Sequence, residues 1–489
     1  MLEPIWTGAG GILHLPAESG EPLHRRVYFA LRDAILAGRL PPGQRLPSTR
    51  ALAATLGLAR NTVLAAYDQL AAEGYVEGRP GAGTVVRAAL GEAPALPDRP
   101  LAPHAPPRPS ALARRLAGHR VHPPSGWLPF RPGVPALEEF PWDVWGRLLR
   151  RRWRRPGPAL TLARDNAGLP ALREAVAAWL RESRALRCSA EQVLIVGGGQ
   201  QALDLAARLL LDPGDVAAVE DPGFSGADAA LTAAGATLTP VPVDAAGLVV
   251  EALPERARAV LVTPSRNFPL GVTLSLERRL ALLAWARRAG AWVIEDDYDS
   301  EFRFDGRPVA SLQGLDEDGR VVYLGTFSRV LFPGLRLGYL VVPEGLAATA
   351  QGVRGLLDGG PSTVHQAALA DLFAEGWFAG HLRAMRALYA RRRSVLVEAL
   401  SEHLGDSLAI TGADGGMHLS VTVPDDTRLV AVLARQRVEA AALSAFHRGA
   451  AARSGLVLGF AGWPEPVLRA ACERLSRALV PWTAGGRLG

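Results

Sequence analysis

Between Gln192 and Pro343 short apolar runs alternate with helical patterns, and few folds accommodate that order. The apolar runs span residues 193–196, 216–219, 259–262, 292–295, 321–324 and 339–342. Helical spacing lies between most of them, as at 201–210 and 276–289. Strands that alternate with helices pair through crossovers, so the pattern predicts an α/β unit with a largely parallel sheet. Ligands of such sheets bind beyond the carboxyl ends of the strands. The polar residues that follow each run are therefore the first candidates for a site.

Proline divides the rest of the chain. Within 88–125 it recurs at 94, 97, 100, 103, 106, 107, 109, 123 and 124, which predicts a stiff extended spacer. The spacer separates a first unit, residues 1–87, from the α/β unit, residues 126–489. A hydrophobic content of 48% lets both bury a core and excludes global disorder. A net charge of +6 is mild at this length and by itself says little about a polyanionic partner. Cys188 and Cys472 have no metal-ligand spacing, and His365, His381, His418 and His447 are scattered, so no metal site is expected. No apolar run reaches bilayer length and Glu3 stands where a basic leader would begin, so a cytoplasmic protein without a membrane partner is expected.

The first unit reads as three helices and a hairpin. Leu23, Val27, Ala30, Leu31, Ala34 and Ile35 lie at helical spacing over 23–37. Ser48 can cap a second helix over 49–56, which Gly57 ends. A third helix over 61–73 buries Val63, Ala66, Tyr67 and Leu70. Runs at 75–77 and 84–86 flank a glycine-rich turn that includes Gly81 and Gly83. This is a winged helix-turn-helix pattern. A short turn after the second helix lets the third enter a major groove by its N-terminal end, where Arg60, Asn61 and Thr62 stand. Arginine and asparagine suit bidentate base-edge contacts. Arg50 opens the second helix, where phosphate contacts fall, and the wing glycines let backbone approach DNA.

In the α/β unit each strand end carries a candidate. Gly197-Gly198-Gly199-Gln200 opens a helix, a place suited to a phosphate; a plain tight turn reads equally well. Phe224 can stack on a heteroaromatic ring or pack in the core. Asn267 can donate to a ring oxygen or serve turn chemistry. In Glu295-Asp296-Asp297-Tyr298-Asp299, Asp296 can hold a pyridinium N–H and Tyr298 a phenolic oxygen, while Asp297 and Asp299 read as solvated. Ser328 and Arg336 suit a phosphate. The arginines of 147–155 read as the solvated face of a helix whose apolar side is Leu148, Leu149 and Trp153, with DNA contact as the alternative.

Two resemblances follow from these residues. Leu46-Pro47-Ser48-Thr49-Arg50 through Arg60-Asn61-Thr62-Val63, with Glu73-Gly74-Tyr75-Val76, resembles the GntR family of regulators, although Ala59 stands where serine is usual. The acidic segment and Thr326-Phe327-Ser328-Arg329 through Leu335-Arg336-Leu337-Gly338-Tyr339 resemble fold-type I pyridoxal-phosphate (PLP) aminotransferases. Joined, they resemble the MocR-type branch of GntR regulators. That resemblance implies double-stranded operator DNA as a partner, PLP, a small-molecule effector that is PLP itself or an amine- or amino-acid-related ligand, and a domain-swapped homodimer. It also implies Gly199, Gln200, Phe224, Asn267, Asp296, Tyr298, Ser328, Arg329 and Arg336 around the cofactor.

One departure matters most. The chain has no lysine, all 54 strong bases being arginine, and Arg329 stands where the family carries its Schiff-base lysine. A guanidinium stays protonated, with a pKa above about 12, and cannot condense with an aldehyde. Val457 stands where many aminotransferases clamp a substrate carboxylate with arginine. A catalytically inactive domain that holds PLP without a covalent bond is expected. The alternatives are another anionic ligand, an internal Arg329–Asp296 pair, or a working aminotransferase with a DNA-binding head.

Overall fold

The computed structural model describes residues 21–79, 83–87, 108–119, 128–162, 165–304, 310–404, 409–449 and 453–483. It divides into two compact units, Met1–Arg108 and Pro109–Gly489.

The first unit contains α1 (Leu23–Leu36), α2 (Thr49–Leu56), α3 (Arg60–Ala72), β1 (Val76–Arg79) and β2 (Gly83–Val86). Val27, Leu31, Leu52, Val63, Ala66 and Leu70 are fully buried and hold the helices together. The Ser48 hydroxyl accepts the Ala51 N–H at 3.1 Å, and Gly57 ends α2 in the left-handed region. Ala59 precedes α3 without any side-chain cap, since alanine has no hydroxyl to supply one. The antiparallel wing pairs Val76 with Val86 and Arg79 with Gly83.

The spacer expected over 88–125 is not extended throughout. Ser110 caps a further helix, α4 (Ala111–Ala117), by accepting the Ala113 N–H at 3.0 Å. The run 110–118 lacks proline, so nothing forbids a helix there.

The second unit is built on an eight-stranded sheet. Its strands are β3 (Val193–Val196), β4 (Val216–Asp221), β5 (Thr237–Asp244), β6 (Gly247–Leu248), β7 (Ala259–Val262), β8 (Trp292–Asp296), β9 (Val321–Thr326) and β10 (Gly338–Val341). Their order is β3-β10-β9-β8-β7-β4-β5-β6. Pairing is parallel from β9 to β5, β10 runs against both neighbours, and β6 folds back on β5. Helices cover the faces, so the strands are buried on both sides and read as continuous apolar runs. A smaller antiparallel sheet contains β11 (Ile410–Thr411), β12 (His418–Thr422), β13 (Ala441–Ala442) and β14 (Gly455–Gly459).

The arginine-rich helix, Trp142–Arg154, departs from expectation. Trp145 and Leu148 are its buried residues, whereas Trp153 is 62% exposed. Its arginines are not simply solvated either. Arg152 grips Asp371 through two nitrogens, and Arg151 reaches Asp371 at 2.7 Å and Glu375 at 2.6 Å.

Candidate functional site

On the first unit, Arg50, Arg60 and Asn61 are exposed and Thr62 is half-buried. Arg60, Asn61 and Thr62 occupy the first turn of α3, and the Arg60 Nε lies 3.5 Å from the Thr49 hydroxyl at the start of α2. The two helix starts thus present cationic and amide groups together. Gly83 has φ +78°, which favours glycine, and lies under the Arg45 guanidinium, about where a Cβ would be 3.2 Å from Nε. Arg45 was not among the sequence candidates, since Pro41-Pro42-Gly43 marks only a turn. Gly81 lies outside the described residues.

On the second unit the loops after β3, β4, β7, β8 and β9 converge. Gly198, at φ +105°, precedes the helix Gly199–Leu210, whose first N–H groups are free of intrahelical partners. The Arg336 guanidinium lies 3.7 Å from where a Gly198 Cβ would be, and the Thr326 Cβ lies 3.8 Å from that of Gly199. Ser328 donates its N–H to the Thr326 hydroxyl at 3.2 Å, turning this loop toward the same helix start. Dipole, amides and guanidinium together suit a phosphate.

A cavity of about 760 Å³ opens beside this cluster. Gln200, Phe224, Phe268, Arg336 and Phe446 line it, with Leu116 and His119 at and beyond the end of α4. Gln200 donates Nε2 to the Gly226 carbonyl at 2.9 Å, so its amide is partly committed. The half-buried Phe224 ring lies over Gly226, where a Cβ would be 2.4 Å away, and meets Phe268 edge-to-face at 6.1 Å.

The acidic segment after β8 is buried, which corrects its reading as solvated. Glu295, Asp296, Asp297, Asp299 and Glu301 are all at most 8% exposed. Most have local partners. Glu295 accepts the Leu312 and Gln313 N–H groups, both at 2.9 Å. Asp297 pairs with Arg184 at 2.8 Å and accepts the hydroxyls of Tyr323 at 2.5 Å and Ser300 at 2.8 Å. Burial pushes Asp297 up, but Arg184 and these hydroxyls outweigh it and hold the carboxyl below its usual range. Asp299 lies 3.6 Å from Arg266, which also donates to the Gly412 and His418 carbonyls, both at 2.5 Å.

Asp296 differs. Neither of its oxygens accepts a hydrogen bond or an ion pair from a described residue. Burial and then the charge of Asp297 push its carboxyl up to about 7, against the opposing pull of Arg329. The neighbouring Tyr298 hydroxyl is also buried without a partner. Above pH 7 the carboxylate is therefore held in the fold at a free-energy cost. Asp296→Asn should raise the melting temperature of the ligand-free protein at pH 8, by an amount worth about 1–3 kcal/mol. The sign follows from a raised folded-state value: stability is lost as pH climbs through about 7, and the variant loses none there. At pH 5 the gain should fade. Equal gains at pH 5 and 8 in thermal melts would contradict it.

Arg329 is half-buried and reaches over the Tyr298 ring, with Cζ 5.7 Å from the centroid. Its guanidinium rests on Gly133, where a Cβ would lie 1.5 Å from Nη1. No carboxylate among the described residues is within ion-pair distance, so the internal Arg329–Asp296 pair does not form. Asn267 is 1% exposed and tied to its loop: Oδ1 accepts the Leu270 N–H at 3.2 Å and Nδ2 donates to the Pro222 carbonyl at 3.4 Å. The turn reading of Asn267 is the one the structure favours. Val457 packs with Leu270, Leu443 and Phe446, an apolar patch that offers no carboxylate clamp. Among the described residues no cluster could hold a metal, and no helix is long and apolar enough to cross a membrane.

Comparison with known proteins places both units. Residues 144–475 match the model of aminotransferase class I and II, and residues 23–86 match that of the bacterial regulatory proteins of the gntR family. The probable rhizopine catabolism regulatory protein MocR of Rhizobium meliloti is 41% identical over 98% of each chain. The pyridoxine biosynthesis transcriptional regulator PdxR of Corynebacterium glutamicum is 34% identical over 92% of this chain and 94% of its own. Among solved structures, kynurenine aminotransferase of Pyrococcus horikoshii, in complex with PMP, superposes with a TM-score of 0.68 at 27% identity. That match covers 77% of this chain and 96% of the other. The chain therefore belongs to the MocR-type transcriptional regulators, in which a GntR-family helix-turn-helix is joined to an aminotransferase class I and II domain.

Proposed function

We propose that this regulator binds operator DNA through its first unit and senses PLP, or a close relative of it, in its second without making a covalent bond. Arg50, Arg60, Asn61, Thr62 and the wing at Gly81 and Gly83 would contact DNA. The phosphate would lie at Gly199, Gln200, Ser328 and Arg336, the ring against Phe224, and its nitrogen on Asp296, with Tyr298 at the phenolic oxygen. The fit is supported by a buried Tyr298 hydroxyl without a hydrogen bond among the described residues, an Asp296 carboxyl that makes no ion pair there, and the glycines Gly198 and Gly199 at the helix start. PLP bound to an enzyme's lysine acts as an electron sink for amine chemistry. Here the chain's own residues bind and orient, and Arg329 supplies no nucleophile.

The observation that carries this reading is a guanidinium, not an amine, at position 329, over the Tyr298 ring at the strand-end loops. It favours a catalytically inactive, ligand-responsive domain over an aminotransferase. The domain limits 1–87, 88–125 and 126–489, a homodimer and a cytoplasmic setting complete the proposal. The regulator relatives MocR and PdxR support it.

Gel-shift titration of the full chain tests both halves. Arg60→Ala should weaken specific binding by about 1–3 kcal/mol, the worth of a bidentate base contact. Added PLP should shift wild-type operator affinity about fivefold or more. Unchanged affinity in the variant would remove Arg60 from the interface, and indifference to PLP would remove PLP as effector.

A further inference from the structure

One arginine beside Asp296 makes no close ion pair. Asp297 is matched by Arg184 at 2.8 Å and Asp299 faces Arg266 at 3.6 Å. Glu295 is satisfied by backbone N–H groups. Asp296 has no partner of its own, and in the proposed binding mode it is taken by the ring nitrogen. His418, which also faces this region, is held neutral: burial and then the charges of Arg266 and Arg329 push it well below its usual range. That leaves Arg329 as a half-buried guanidinium that makes no ion pair with a described carboxylate, its charge felt only at longer range by Asp296 and Asp299. Gly133 leaves room for it, because any side chain there would occupy the guanidinium's own space.

We infer that Arg329 selects a ligand with a carboxylate where PLP has its aldehyde: a phosphorylated pyridine with a second, planar anion. This inference rests on the reading of the crevice as a PLP-type site, since an imine-forming residue would face the aldehyde carbon. A carboxylate there meets the flat fork of donors that guanidinium provides, in a setting with little competing water. A primary amine at the same carbon would bring a second cation against Arg329. A neutral hydroxymethyl group would leave the guanidinium unneutralised. The site would thus discriminate the oxidation state and charge of one ligand carbon, which suits a sensor and requires no chemistry of the protein.

Calorimetric titration of the full chain with four probes tests this: pyridoxal, pyridoxine and pyridoxamine 5′-phosphates and 4-pyridoxic acid 5′-phosphate. The 4-carboxylate should bind about tenfold tighter than the hydroxymethyl form, the worth of one charge-assisted bidentate contact, and the amine should bind weakest. Arg329→Gln should bring the carboxylate and hydroxymethyl forms to within about threefold of each other. Gly133→Ala, which displaces the guanidinium while keeping it, should do the same. Equal affinities in the wild type, or a carboxylate preference that survives in Arg329→Gln, would overturn the inference and leave the PLP-type reading standing. Failure of all four probes to bind would overturn both.

Discussion

Arg329→Lys should convert a freely dissociating ligand into a covalently held one. In the wild type, incubation with PLP and reduction with borohydride should leave the protein mass unchanged. In the variant, one pyridoxyl group per chain should be added, with a visible absorption band before reduction. The reason is local. Residue 329 sits half-buried over Tyr298 and near Asp296, and a lysine there that gives up its proton on desolvation can condense with an aldehyde. The guanidinium cannot do so within the stable pH range of a protein. Absence of any band in the variant would mean that the crevice has diverged beyond PLP.

Arg184→Met should destabilise the second unit by about 3–5 kcal/mol, because it strips the partner from a buried carboxylate. Asp297 is 2% exposed and feels the charges of other buried acids, so without the guanidinium its charge lacks its close counter-ion. In the wild type Asp297 is depressed, so its pairing stabilises the fold at neutral pH and that contribution is lost only on acidification. In the variant burial and like charges raise it, so the deficit should be largest near pH 8 and shrink toward pH 5, as Asp297 takes up a proton. Urea denaturation of the full chain at both pH values measures this. Arg184→Met combined with Asp297→Asn should recover much of the loss, since the uncompensated charge is then gone. A double variant no more stable than Arg184→Met alone would assign the effect to packing.

The sheet was legible because its strands are covered on both faces and so appear as unbroken apolar runs, such as Val193–Val196 and Ala259–Val262. The helix Leu276–Ala289 was legible from its helical spacing, and the structure adds a Ser275 cap and a Gly290 stop. β5 was not, because Pro240 and Pro242 argue against a strand; they are tolerated where β5 pairs with β4 alone, since β6 meets only Val243 and Asp244. β11 and β13 contain two residues each, too few for any periodicity.

The candidate site divides in the same way. Residues within one strand-end loop, such as Asp296, Tyr298, Ser328 and Arg336, could be read locally. Groups whose meaning depends on a distant partner could not. Asp297 and Asp299 look solvated until Arg184 and Arg266 arrive from other elements. Gly133 looks like an ordinary turn glycine until Arg329 rests on it. Asn267 looked available, but its amide closes its own loop.

The role of position 329 is tested most directly by mass spectrometry of the unaltered protein after PLP and borohydride. An unchanged mass, alongside saturable and reversible binding of PLP, is the result expected of a sensor. A stable pyridoxyl adduct at any residue of the crevice, or amino-group transfer from an amino acid to a keto acid, would contradict it.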